Sequence, residues 1–117
     1  MKSVPTFTAT IYMGLRAGYG DTVYPSRAAY NWLAKYCSFG GICVTFTPTT
    51  FIYKGGEDPG IIIGLINYPR FPEEIRELKE KAKEIAYKLG GELRQNRVSI
   101  VFPDETVMVE IEDEEDE

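Results

Sequence analysis

IIIGLINYPRFPEEIRELKEKAKEIAYKLGG, residues 61–91, decides the fold. Its first part, 61–68, is apolar on both faces, which is how a strand in the middle of a covered sheet reads. Its second part is an amphipathic helix. Ile75, Leu78, Ala82, Ile85, Ala86 and Leu89 recur at helical spacing and mark one buried stripe. Pro72 falls in the expected first turn, where a proline is tolerated, and Glu73 and Glu74 complement the positive end of the helix dipole. Gly90 and Gly91 are expected to end it. Glu77–Lys81 and Glu84–Lys88 are spaced to pair on the outer face.

Working backwards, KGGEDPG at 54–60 reads as a loop, because glycine and proline punctuate it. ICVTFTPTTFIY at 42–53 reads as a strand in which Ile42, Val44 and Phe46 alternate with Cys43, Thr45 and Thr47. Pro48 cannot donate to a ladder, so it marks an edge, a bulge or a break. SRAAYNWLAKYCS at 26–38 has Ala29, Leu33, Tyr36 and Cys37 at helical spacing, opens at Pro25 or Ser26, and meets Gly40 and Gly41. TFTATIYMGL at 6–15 alternates strictly: Phe7, Ala9, Ile11, Met13 and Leu15 on one side, Thr6, Thr8, Thr10 and Tyr12 on the other. Working forwards, RVSIVF at 97–102 and TVMVEI at 106–111 flank a short PDE turn and form a hairpin.

The order is β-α-β-β-α-β with an additional C-terminal strand. That is an α+β, ferredoxin-like arrangement: a mainly antiparallel sheet with two helices on one face. The order resembles that of trimeric PII-type signalling proteins, which bind nucleotides in clefts between subunits, although none of their motifs occurs here.

The chain has 117 residues and a net charge of −5, but the charge is uneven. Seven of the 18 acidic residues lie within 110–117. The remainder, 1–109, carries 13 basic and 11 acidic side chains, so its net charge is +2. The expected organisation is one domain over 1–109 followed by an acidic, disordered tail over 110–117. With no apolar leader at the N-terminus and no apolar run of bilayer length, the expected setting is the cytoplasm, or host cytoplasm for a viral protein. Cys37 and Cys43, separated by five residues, are expected to be reduced.

The absence of histidine excludes Ser-His-Asp triads, Cys-His dyads and the usual zinc fingers. A general base would have to be Asp21, Glu57, Asp58 or a tyrosine. An acyl-phosphate reaction would cast Arg16 and Asn67. No metal site, cofactor or catalytic residue is assigned. Nucleic acid is set aside as a partner: the body is nearly neutral, and Tyr12 is the one clear aromatic on the open face of the first strand.

MGLRAGYGDTVYPSR, 13–27, is the leading candidate site. It matches neither GxxxxGK[ST] nor GxGxxG. It does place a glycine-rich turn ahead of a helix, where backbone N–H groups attract anions. Arg16 is the anion contact, Gly18 and Gly20 the backbone donors, Tyr19 and Tyr24 the stacking groups, Thr22 and Ser26 the hydroxyl donors. Thr47 and Thr49, beside Pro48, and Asn67 and Arg70, in INYPRFP, are further ligand-binding candidates. The threonine-lined sheet face, with Ile62 and Ile66 across it, is expected to be covered by a second copy of the chain.

The functional expectation is therefore a non-enzymatic homo-oligomer that binds a small anionic ligand, a nucleotide among the candidates, in regulation or sequestration. Two alternatives stand beside it. One is a protein-interaction module, such as a viral inhibitor of a host factor. The other is a small enzyme acting on a phosphorylated or acyl substrate.

Overall fold

The computed structural model describes residues 1–111. The elements are β1 (Thr8–Gly14), α1 (Ser26–Gly40), β2 (Thr45–Tyr53), β3 (Gly56–Ile66), α2 (Ile75–Glu92), β4 (Arg97–Val101) and β5 (Thr106–Glu110). They build one five-stranded sheet in the order β2-β3-β1-β4-β5. Every neighbouring pair is antiparallel. β3 therefore lies between β1 and β2, as in a split β-α-β unit, and the α+β ferredoxin-like expectation holds.

The alternation of β1 explains why. Phe7, Ala9, Ile11, Met13 and Leu15 are all 3% exposed or less. They meet Ile61, Ile63 and Leu65 of β3, Val98 and Ile100 of β4, and the helix stripes. α2 contributes Leu78, Ala82, Ile85, Ala86 and Leu89; α1 contributes Ala29 and Leu33. Each fully buried Ile or Leu here stabilises the fold by about 1.5–3 kcal/mol relative to exposure. The helices are joined at their outer edge, where the Tyr36 hydroxyl donates to Glu84 at 2.6 Å and Trp32 stacks on Tyr36.

Among the described residues no helix covers the other sheet face. Register places Thr8, Thr10 and Tyr12 of β1 beside Ile66, Gly64 and Ile62 of β3. Thr45, Thr47 and Thr49 of β2 pair with Gly64, Ile62 and Gly60, so they join this face. Ser99 and Val101, then Met108 and Thr106, continue it across β4 and β5.

Several boundaries differ from the sequence reading. KGGEDPG is not a loop over 54–60. β3 starts at Gly56, and the connection is the two-residue Lys54–Gly55 turn, with Gly55 at φ +90°. Glycine and proline mislead because Pro59 sits in the strand: its carbonyl accepts from Leu15 N–H at 3.1 Å. β2 starts at Thr45, so 42–44 are outside it. α1 runs on to Gly40, and Gly41 in the left-handed region caps it. α2 starts at Ile75, which leaves Pro72 and Glu73 ahead of it, and it runs through both glycines to Glu92. Lys81 pairs with Glu73 at 2.9 Å rather than with Glu77, whereas the Glu84–Lys88 pair is present at 3.0 Å. Glu110 belongs to β5 opposite Arg97. Ile111 N–H donates to Asn96 C=O at 2.9 Å, and the rest of the expected acidic tail, 112–117, lies outside the described residues. Among the described residues no helix is long and apolar enough to cross a membrane.

Candidate functional site

The β2–β3 ribbon outruns β1. Pairing between β1 and β3 ends at Gly14–Gly60, while β2 and β3 stay paired from Thr50–Pro59 out to Tyr53–Gly56. The chain leaving β1 meets this ribbon through one side chain. Arg16 Nε donates to Asp58 Oδ1 at 2.8 Å, and the Tyr53 hydroxyl donates to Asp58 Oδ2 at 2.9 Å. Asp58 is thus held from both oxygens. The Arg16 hydrogen bond, then the Tyr53 hydrogen bond, keep its carboxyl below the usual carboxylate range. The same contacts hold the Arg16 guanidinium and the Tyr53 phenol above their ordinary values. At neutral pH the site carries a fixed cation beside a fixed anion.

Two glycines form the floor next to this pair. An added Cβ at Gly60 would stand 2.8 Å from the Met13 carbonyl oxygen and inside the Phe51 ring, so Phe51 lies across Gly60. At Gly14, Gln95 Oε1 lies 2.8 Å from the position of an added Cβ. Tyr12 stands one step along the same face and is 38% exposed. The end of the open face therefore brings together Arg16, Asp58, Tyr53, Phe51 and Tyr12. A zwitterion with a flat ring fits that chemistry: carboxylate to arginine, cation to aspartate and aromatic faces, ring to tyrosine or phenylalanine.

The loop between β1 and α1 is organised differently from an anion nest. Ala17 N–H donates to Thr22 C=O at 2.8 Å, Gly20 N–H to Ala17 C=O at 2.9 Å, and Tyr24 N–H to Leu15 C=O at 2.8 Å. Gly18, at φ +42°, donates its N–H to Arg94 C=O at 2.8 Å. The amides expected to receive an anion are engaged within the chain. Tyr19 is exposed, Tyr24 is half-buried against the core, and Thr22 is exposed. Ser26 opens α1, which has no side-chain cap at Pro25.

The other candidates are distributed elsewhere. Thr47 and Thr49 sit on the open face of edge strand β2. Asn67 and Arg70 lie past the opposite end of β3 from Asp58. Asn67 is buried with both ends of its amide engaged: Nδ2 donates to Pro5 C=O at 2.9 Å and Oδ1 accepts from Glu73 N–H at 3.1 Å. That is the work of a structural tie between the N-terminal segment and the approach to α2. Arg70 lies over the Phe71 ring. At this end a half-open cavity of about 260 Å³ is lined by Cys37, Cys43, Ile66, Tyr68 and Glu73 among others. Its two cysteines are free thiols, and burial pushes the Cys37 thiol up. Among the described residues no group of His, Cys, Asp or Glu is placed to hold a metal ion.

Sequence reasoning found Arg16 and counted Asp58 among possible bases, but missed Tyr53, Phe51 and Gln95. Tyr53 and Phe51 share the β2 alternation with Thr47 and Thr49, and extending that alternation to the hairpin tip would have placed them. Gln95 left no signal, because its link to the site is the Arg16 carbonyl, 79 positions away.

No protein-family model and no curated protein sequence matches this chain. Two solved structures share its fold. A phage SAM lyase in complex with S-methyl-5'-thioadenosine has a TM-score of 0.73 at 15% identity, over 94% of this chain and 93% of that one. A phage SAM lyase in the apo state has a TM-score of 0.67 at 17% identity, over 91% and 90%. The expectation of a non-enzymatic binding protein is corrected by these neighbours, since both are enzymes; they favour neither alternative, the interaction module nor the phosphoryl or acyl enzyme.

Proposed function

We propose that this chain binds S-adenosylmethionine (SAM) at the Arg16–Asp58 end of the open sheet face and cleaves it to S-methyl-5'-thioadenosine. The observation that supports this most is the likeness, along nearly the whole chain, to a lyase solved with that nucleoside. The site chemistry agrees. SAM carries a sulfonium, an ammonium, a carboxylate and an adenine ring, and the site offers a carboxylate, a guanidinium and three aromatic rings.

The lost fragment is the amino-acid arm, so the bond that breaks joins sulfur to the γ-carbon. The leaving group is a neutral thioether and needs no protonation, so a chain without histidine is not handicapped. Asp58, held below the usual carboxylate range, is a poor base for removing a carbon-bound proton. The route that asks least of the protein uses the substrate's own carboxylate. It attacks the γ-carbon, a C–O bond forms, the C–S bond breaks, and the electron pair goes to sulfur. The product arm is a five-membered lactone and no proton moves. Arg16 orients that carboxylate towards the γ-carbon, which turns a floppy arm into a reacting geometry. Asp58 and the aromatic rings favour the bound cation, which strengthens substrate binding more than it lowers the barrier. Because the reacting charges cancel, expelling water from the site favours the reaction.

Self-association through the open face is part of the same reading. Ile66, Val101 and Met108 are exposed there beside Tyr12. A second copy laid over them would bury this apolar surface and close the site against water. Titration with S-methyl-5'-thioadenosine, followed by amide NMR shifts, tests the placement. Perturbation of Gly14, Arg16, Asp58 and Gly60 is expected; perturbation confined to the Cys43–Glu73 cavity would overturn it.

A further inference from the structure

Gln95 occupies the junction between α2 and β4 and is 8% exposed, a buried amide among backbone. Its Nε2 donates to the Arg16 carbonyl at 2.9 Å and to the Leu93 carbonyl at 3.0 Å, so both amide hydrogens are engaged. Its Oε1 fills the space that a side chain at Gly14 would need. The turn that carries it is bound to the same loop a second time, through Gly18 N–H to Arg94 C=O at 2.8 Å. Arg94 is a non-glycine residue at φ +57°, a left-handed conformation that persists only where its surroundings hold it. Here Arg94 N–H bonds Gly91 C=O at 3.1 Å and Gln95 N–H bonds Gly90 C=O at 2.8 Å. The strained turn delivers the Gln95 amide beneath the backbone of the residue that supplies the guanidinium.

We infer that Gln95 is a positioning residue: it fixes the Arg16 backbone so that the guanidinium meets Asp58 on one side and the substrate carboxylate on the other. The inference rests on the proposed lyase reading for its kinetic consequence and on geometry alone for its effect on Asp58. Gln95 acts through Arg16.

Two variants test it. Gln95→Leu removes both donors. Gln95→Glu keeps the shape but, when ionised, sets a negative charge against two carbonyl oxygens; when protonated it can donate to one. Burial raises the pKa of the introduced carboxyl. The charged residues beside it, Arg16, Arg94 and Arg97, are all arginines, a side chain that does not deprotonate in proteins, and Asp58 is held below the usual carboxylate range, so a pH effect near neutrality reports that carboxyl. With SAM as substrate, kcat of Gln95→Glu is expected to fall about a hundredfold at alkaline pH with KM little changed, the cost of a misplaced reacting group. Its activity relative to wild type then recovers as pH falls, whereas Gln95→Leu stays low at every pH. A lowered melting temperature with unchanged kcat in both folded variants would overturn the inference. A second readout needs no turnover: NMR titration of the Asp58 carboxyl. In folded Gln95→Leu it is expected to move up towards the ordinary aspartate range. An unchanged Asp58 titration overturns the inference even if SAM is cleaved. A moved one upholds it even if SAM is not.

Discussion

Arg16 and Asp58, 42 positions apart in sequence, meet with Nε and Oδ1 2.8 Å apart and tie the exit of β1 to the projecting β2–β3 ribbon. The pair is partly exposed, with side chains at 38% and 31%. Its stabilising effect is therefore modest, and its main consequence is orientation.

The pair sets a pH dependence whose sign follows from Asp58. Its folded carboxyl titrates below the unfolded one, so the contribution is present above the ordinary aspartate pKa of about 3.9 and is lost as pH falls through the lower folded value. Melting temperatures of wild type and Asp58→Asn are expected to differ near neutral pH and to converge in acid. A gap that widens on acidification would contradict the assignment.

Arg16→Ala is expected to lower kcat/KM for SAM by about a hundredfold. Arg16→Lys restores the charge but not the planar fork that can hold Asp58 and a carboxylate together, so recovery should be partial. Full recovery by lysine would mean that only charge matters.

Gly60→Ala should push the ribbon off β1, because the new methyl would collide with the Met13 carbonyl and the Phe51 ring. Overpacking of this kind costs about 1–3 kcal/mol, read as a lower urea midpoint. Loss of activity greater than the loss of folded protein would show that the glycine floor also shapes the site.

Gly18 and Gly20 separate two accounts of the β1–α1 loop. A Cβ at Gly20 would meet Ala17 C=O at 3.6 Å, an ordinary contact, and its N–H is already bonded. Gly20→Ala is therefore expected to keep near wild-type turnover. Gly18→Ala, at positive φ and bonded to Arg94, should reduce it. Equal damage from both would revive an anion nest.

Local patterns are legible in the residues; contacts made through register and distant turns are not. The β1 alternation and the α2 stripe are local patterns, and each placed its buried face correctly. The GGEDPG stretch misled because Pro59 and Gly60 look like turn residues but serve as strand residues beside β1. The Arg16 loop drew attention through its glycines, yet its amides answer to Ala17 and Arg94. Tyr53, Phe51 and Gln95 join the site only through strand register and a turn 79 positions from Arg16, which no local pattern reports.

Val101→Asp with Met108→Asp places carboxylates on the open face of β4 and β5, away from the Arg16–Asp58 end. If a second copy covers that face, sedimentation should show a smaller species and lyase turnover should drop. An unchanged mass with intact activity would place the site within one copy.

Incubating the purified protein with SAM and quantifying S-methyl-5'-thioadenosine by chromatography and mass spectrometry, alongside Arg16→Ala, decides whether this chain cleaves SAM. One nucleoside released per SAM consumed, in excess over enzyme and lost in the variant, is the predicted result. SAM that persists at the rate of the buffer control would contradict it.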